Sequence, residues 1–437
     1  MRNHRNAATM LTLIAAVCAA GVAIAADEPA KPAPMTVKDM PVLKEMPDPL
    51  TMLDGTKVTT VEQWRKRRQE MIKIIEEYEY GHMPPAPGNV KGKDVGASKV
   101  VTLGGAGRGR RGPAPGAAPG APAATPPAAG AAAAPATLQA NYRQVHLTFG
   151  PQEKLGFDLG LFTPVETDSV KAPFPVLISL GFSSNETSAG QFSEALKRGY
   201  AVATIAYTQL GADATNYRST AFFPAYPEYD WNDFSAWAWG ISRAVDYLVT
   251  DPAIDKNKIM ATGVSRNGQA ALLAGALDER IAVTIPVGGG SALRFSGKNR
   301  GKGQGIDEVV VQETYWFGPR YPEFKGVTEK LPCDQHWLLA LTAPRLFIMC
   351  NALADQYGDA NAVAQTYLYA KPVYEFLKVP DNVGMSFREG MHGQQAPDIQ
   401  AMFDFTDEKL LGKPAKRKFD MLPPGTTGIQ KAPWPKD

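Results

Sequence analysis

The stretch Lys258-Ile-Met-Ala-Thr-Gly263-Val264-Ser265-Arg266-Asn267-Gly268-Gln269-Ala-Ala-Leu-Leu-Ala decides how this chain is read. A short apolar run passes into Gly-x-Ser-x-x-Gly and then into an alanine- and leucine-rich helical pattern, the layout of a nucleophile elbow. Small residues around Ser265 relieve crowding in so tight a turn, which lifts the hydroxyl clear of the sheet at a helix N-terminus. An ordinary turn serine is the plain alternative. The strand before Ser265 and the helix after it favour the nucleophile.

Outward from the elbow the pattern stays regular. Strand-like runs fall at Val145–Phe149, Gly156–Phe162, Val176–Leu180, Val202–Ala206, Ile259–Thr262, Ala282–Pro286, Arg345–Met349 and Met385–Phe387. Helical patterns lie between most of them, at Gln191–Arg198, Phe234–Val249, Asn267–Ala276, Val363–Leu377 and Ile399–Leu411. Alternation of strand and helix predicts a mostly parallel central sheet covered on both faces, an α/β three-layer sandwich.

A serine hydroxyl is a weak nucleophile at neutral pH, so it needs a base, and the base needs an acid to fix its tautomer. The histidines are His4, His82, His146, His336 and His392. The first three precede the elbow, whereas the triad order Ser, acid, His puts the base after it. His336 opens the apolar helical run after Leu331-Pro-Cys-Asp-Gln and reads more simply as a packing or capping residue. His392 lies in Gly390-Met-His392-Gly393, a glycine-flanked loop after a strand, and is the preferred base. The acid should follow the strand before that one, in Cys350-Asn-Ala-Leu-Ala-Asp355-Gln-Tyr-Gly-Asp359. Asp355 lies in the first loop turn and is preferred; Asp359 precedes a helix and can serve as its N-cap. Ser265, Asp355, His392 is the chain order of α/β-hydrolases. Oxyanion donors are then expected from the amide of Arg266 and from the Gly181-Phe182-Ser183-Ser184 loop, with Phe182 a candidate substrate contact. The Arg266 side chain could bind a developing alkoxide or a substrate carboxylate, or remain a solvated cation at the helix start.

The rest of the 437 residues sets bounds. Arg2 and Arg5, an apolar Ala/Leu/Ile/Val stretch and Ala23-Ile24-Ala25 read as a cleaved export signal over residues 1–25, predicting a periplasmic or secreted protein that starts at Ala26. Arg2 and Arg5 belong to that segment, and the other basic residues of the 46 Lys+Arg balance the 44 Asp+Glu. A neutral mature chain has no field to hold nucleic acid or an anionic membrane. Residues 26–60 read as an arm that orders on docking, followed by a single domain over 61–437 whose first helix runs from Val61 to Tyr80 behind the N-cap Thr60. Within it, residues 104–136 are almost entirely Gly, Pro and Ala and read as a disordered insertion. Beyond the signal only Cys333 and Cys350 remain, too few for a disulfide framework or a four-cysteine zinc site. No Gly-rich phosphate loop ending in Lys-Ser/Thr and no His-Glu-x-x-His pair occurs, so neither cofactor nor metal is expected.

Gly-Val-Ser265-Arg266-Asn-Gly268, preceded by Trp237-Ala-Trp239-Gly240-Ile-Ser-Arg243-Ala-Val-Asp246 and followed by Arg280-Ile-Ala-Val-Thr-Ile-Pro286, resembles the bacterial glucuronoyl esterases of carbohydrate esterase family fifteen. Leu331-Pro-x-Asp334-x-His336, Ala343-Pro344-Arg345 and Pro47-Asp-Pro-x-x-x-x-Asp54-Gly55 are similar as well, over about residues 45–412 without the insertion. The resemblance implies a metal-free serine esterase acting on glucuronic acid esters of xylan, with Ser265 as nucleophile, His392 as base and the Arg266 side chain as oxyanion stabiliser. Three positions depart from the family pattern. Val264 stands for a cysteine. Gln269 stands for a lysine that would hold sugar hydroxyls, and its amide would donate more weakly. Pro286-Val287-Gly288-Gly289 carries no glutamate where many members have the acid, which again points to Asp355. Glu313, in Glu313-Thr-Tyr-Trp316-Phe317, resembles a sugar-contacting glutamate.

The expected function is an exported serine carboxylesterase hydrolysing carbohydrate-linked esters, most of all glucuronoyl esters of xylan, as a monomer on plant cell-wall polysaccharide or oligosaccharide. An acetylxylan-type esterase and a catalytically silent carbohydrate-binding protein are the alternatives. A prolyl oligopeptidase is disfavoured, since residues 26 to about 140 cannot supply a propeller at roughly 40 residues per blade.

Overall fold

Among the residues described by a computed structural model of the chain, 35–104, 137–289 and 304–424, ten strands form one sheet. They are β1 Lys91–Asp94, β2 Lys99–Leu103, β3 Leu138–Phe149, β4 Leu155–Pro164, β5 Phe174–Gly181, β6 Ala201–Ala206, β7 Ile254–Val264, β8 Ile281–Val287, β9 Leu346–Ala352 and β10 Val383–Arg388. The α-helices are α1 Val61–Ile75, α2 Ser193–Lys197, α3 Asp233–Leu248, α4 Arg266–Leu277, α5 Ile306–Gln312, α6 His336–Thr342, α7 Ala360–Phe376 and α8 Ala396–Leu411. The strand order is β1-β3-β4-β6-β5-β7-β8-β9-β10, with β2 also on β3. From β6 across to β10 all neighbours run parallel, while β1 to β4 add an antiparallel edge.

Side-chain alternation explains the two cores. Val176, Ile178 and Leu180 of β5, with Ile259 and Ala261 of β7, pack to one side against α3, α4, α6 and α7. Leu177 and Met260, with Ile285 of β8 and Ile348 of β9, pack to the other against α2 and α8. Helix α4 lies close on the sheet because Gly275 has no side chain: a Cβ there would stand 2.0 Å from Thr284 Oγ1. This is the α/β-hydrolase architecture that the alternation predicts.

Strands β1 and β2 and the end of the first helix differ from the sequence reading. Strands β1 and β2 carry no alternation to read, because β1 is exposed throughout and β2 buries only Leu103. The helix from Val61 is α-helical to Ile75 and ends in a single π-helical turn, Glu76–Tyr80. Thr60 caps it as expected: its side chain accepts from Gln63 N at 3.2 Å and Gln63 Oε1 accepts from Thr60 N at 3.0 Å. Ahead of it, Val37, Met40, Met46 and Val58 are buried. The Pro47 carbonyl bonds His336 Nε2 at 2.7 Å and accepts from Trp337 Nε1 at 2.8 Å. His336 is therefore a buried packing residue at the start of α6. Cys333 and Cys350 are both buried thiols. The expected signal at 1–25, and the expected insertion apart from Gly104, lie outside the described residues.

Candidate active site

The carboxyl ends of the parallel strands gather the candidate residues, as open α/β sheets do. Ser265 follows β7 at φ 61° and ψ −128°, stands at the N-cap position of α4 without a side-chain cap bond, and donates its N–H to Val287 O at 2.8 Å. Glycine on both sides makes this turn possible. A Cβ on Gly263 would stand 2.3 Å from Asn267 O, and one on Gly268 would stand 2.9 Å from Gly263 O.

Asp355 lies three residues beyond β9 and His392 four beyond β10. His392 Nδ1 is 2.8 Å from Asp355 Oδ2 and 3.0 Å from Oδ1. Asp355 Oδ1 also accepts from the amides of Tyr357 and Gly358, at 2.8 and 2.9 Å, which fixes the carboxylate. The Tyr357 ring meets the imidazole edge-on at 5.0 Å. Asp359 does not join them: it accepts from Asn361 N at 2.9 Å and caps α7. Gly288 and Gly289, just after β8, bridge the two halves of the arrangement. A Cβ on Gly288 would lie 3.2 Å from His392 Cε1 and 3.3 Å from Asp355 Oδ2, and one on Gly289 would lie 2.5 Å from Ser265 O. The serine turn and the His–Asp pair thus flank one glycine pair.

Arg266 opens α4, so its amide is among the helix-start N–H groups without an intrahelical acceptor. Its Nε is 3.0 Å from Asp213 Oδ2, and its guanidinium lies 5.8 Å from the Tyr207 ring and 5.9 Å from the Trp316 ring. Asp213 accepts from Trp316 Nε1 at 2.8 Å and donates its own N–H to Asp233 Oδ2 at 3.0 Å. Burial, and then the neighbouring Asp213 carboxylate, push the Asp233 carboxyl up to about 8. Phe182, 76% exposed, touches Tyr207 edge-on at 5.4 Å, which puts it at the rim two rings away from Arg266.

The cleft is lined by Ser265, Arg266, Gln269, Gly289, Trp316 and Phe317 among others. Gln269 is there as expected, but its amide nitrogen is not available as the expected donor: Nε2 bonds Tyr80 Oη at 2.6 Å and also Gln335 Oε1. Glu313 ends α5 with its carboxylate accepting from the Tyr315 hydroxyl, and Trp316 is on the cleft wall. Asp213, Tyr207, Trp316 and Tyr357 were not singled out by sequence. Nothing in Gly211-Ala-Asp213-Ala marks a partner for an arginine 53 positions later, because that pairing exists only once β6 and β7 lie in one sheet.

A family model described as "Glucuronyl esterase, fungi" matches residues 153–378. The chain belongs to the glucuronoyl esterase family. It is 30% identical over 431 aligned residues to a carbohydrate esterase from an unknown prokaryotic organism, covering 84% of this chain and 90% of that one. It is 29% identical to a 4-O-methyl-glucuronoyl methylesterase of Phanerochaete carnosa, over 85% of this chain and 82% of that one. Among solved structures, a family fifteen glucuronoyl esterase from Caldicellulosiruptor kristjansonii superposes with a TM-score of 0.68 at 27% identity, covering 90% of this chain and 99% of that one. In this glucuronoyl esterase the carboxylate beside the histidine comes from the loop after β9, while the loop after β8 carries Gly288 where a side chain would point at the same pair.

Proposed function

We propose that this protein is an exported esterase that hydrolyses 4-O-methyl-glucuronoyl esters of xylan through an acyl-enzyme on Ser265. The observation that carries the reading is the His392–Asp355 pair set against the Ser265 turn across Gly288 and Gly289. With Nδ1 turned to Asp355, the imidazole presents Nε2 as the base. Ser265 Oγ attacks the ester carbonyl as its proton passes to Nε2, and the carbonyl oxygen becomes an oxyanion facing the amide and guanidinium of Arg266. Collapse breaks the bond to the alcohol oxygen, which takes the proton from His392. Water, deprotonated by the same imidazole, then attacks the acyl-enzyme and restores the Ser265 hydroxyl as the free uronate leaves. Asp213 holds the Arg266 guanidinium by its Nε.

Acetylated xylan is the second reading, favoured by one observation: Gln269, rather than a lysine, lines the cleft beside Ser265. Export rests on Arg2, Arg5 and Ala23-Ile24-Ala25. Protein recovered from periplasm or medium, starting at Ala26 by mass, should cleave benzyl glucuronate faster than it deacetylates xylan, and Ser265→Ala should lose several orders of magnitude on both. Preference for acetyl groups would move the substrate; near-native activity of Ser265→Ala would remove the nucleophile.

A further inference from the structure

Hydrolysis of a uronate ester changes the charge of what the cleft holds. The ester group that enters is neutral, whereas the acid that forms is ionised at neutral pH, its proton passing to solvent. One oxygen of the new carboxylate stands where the oxyanion stood, against Arg266. A bare guanidinium there would grip the product through a charge-assisted bond, and turnover would wait on release. Arg266 is not bare. Its Nε is ion-paired with Asp213 Oδ2 at 3.0 Å, and the Asp213 side chain is 11% exposed, so solvent screens its charge poorly. The Asp213 carboxylate is held from other sides as well: Oδ1 accepts from Trp316 Nε1 at 2.8 Å and Oδ2 from the Tyr207 hydroxyl at 3.3 Å, while the Asp213 N–H donates to Asp233 Oδ2 at 3.0 Å. The backbone at Asp213 is left-handed, at φ 54°, a region that aspartate and asparagine enter more readily than other residues with a side chain. Tethered in this way, the carboxylate is a standing negative charge beside the place where a second carboxylate appears at the end of every turnover.

We propose that Asp213 sets the selectivity of the cleft between the two charge states of its ligand: by cancelling the net charge of Arg266, it lets the site take the neutral ester and shed the uronate anion. The proposal rests on the glucuronoyl reading and adds product release to it. Transition state and product differ in a way that lets one ion pair serve both. In the transition state the oxyanion forms together with the His392 imidazolium, so the total charge of the site is unchanged and the directed N–H groups of Arg266 supply the stabilisation. In the product complex the proton has left, and the carboxylate brings a full negative charge close to Asp213. Directed hydrogen bonds favour the first; like charge opposes the second. Asp213 acts through Arg266 and is a positioning residue.

The test measures binding without turnover. On Ser265→Ala, calorimetric titration should give methyl glucuronate and free glucuronate dissociation constants within about threefold of each other. Adding Asp213→Asn removes the charge but keeps an oxygen for Trp316 Nε1 and a residue type that tolerates the left-handed backbone. Glucuronate should then bind about tenfold tighter, about 1.4 kcal/mol, and methyl glucuronate should change by less than about threefold. The gain should shrink as salt is raised and vanish when Arg266→Ala is added. A merely structural role would weaken both ligands together and leave their ratio unchanged. Glucuronate bound tenfold or more tighter than its methyl ester by Ser265→Ala alone overturns the proposal with no change at Asp213, so the comparison decides even where Asp213→Asn does not fold. A ratio unmoved by Asp213→Asn in folded protein overturns it too. If the native protein leaves benzyl glucuronate untouched and Ser265→Ala binds neither ligand, the glucuronoyl reading falls and the proposal with it; if the ester is cleaved and the ratio stays put, the proposal falls alone.

Discussion

Ser265 sits at φ 61° with a side chain, a conformation costing on the order of 1–3 kcal/mol that persists only because the surroundings over-determine it. The strain lifts Oγ off the sheet, which is the use a nucleophile has for it. The two aspartates of the following loop show how little separates an acid from a cap. Asp355 and Asp359 are four residues apart, yet one bonds His392 and the other bonds the first turn of α7. Asp355→Asn should therefore lower kcat on the order of 10⁴, because the amide can stabilise the wrong imidazole tautomer and cannot balance an imidazolium. Asp359→Asn should keep turnover within about tenfold and at most soften α7, since asparagine caps nearly as well. Steady-state kinetics on the two variants decide between them, and the reverse ranking would transfer the role to Asp359.

At the scale of elements, the acid beside the histidine can come from either of two loops because β8, β9 and β10 are consecutive parallel neighbours. Their carboxyl ends open on the same side, and a side chain from the β8 loop would point at the place that Asp355 reaches from the β9 loop. Gly288 keeps that place clear. It has φ +60°, and an added Cβ would crowd His392 and Asp355 at 3.2–3.3 Å. Gly288→Ala should thus displace the pair by a few tenths of an ångström and reduce kcat by roughly 10- to 100-fold, with a smaller change in KM. The left-handed backbone adds about 1–2 kcal/mol of destabilisation. Native kcat in this variant would mean that the loop yields and the pair is not held from this side.

For the whole molecule, the arm ahead of α1 is the telling part. It contributes buried Val37, Met40, Met46 and Val58, and its Pro47 carbonyl is bonded to both His336 and Trp337 of α6. Arg67 in turn reaches back to the carbonyls of Asp48 and Pro49, both at 3.4 Å, and stacks on Trp337 at 4.6 Å. Full burial of each such side chain contributes roughly 1.5–3 kcal/mol. Removing residues 1–58 should lower the urea midpoint by an amount corresponding to several kcal/mol. An unchanged midpoint would show that α6 is held without the arm.

The sequence by itself determined the alternation of strands and helices, the elbow around Ser265, the order Ser265, Asp355, His392, and the cap at Thr60. Each of these is written locally: a period of two, a period of 3.6, or glycines within three residues of a strained turn. The tertiary structure decided what no local pattern encodes. Strands β1 and β2 form because β3 offers them an edge, although their own residues bury almost nothing. Asp213 meets Arg266, and Trp316 reaches the cleft, only through the packing of distant segments. Gln269 is bonded to Tyr80 and Gln335, at separations of 189 and 66 residues, only because the fold packs α4 against those segments. Residue type tells what a side chain can donate or accept; only the folded neighbours determine which groups it meets.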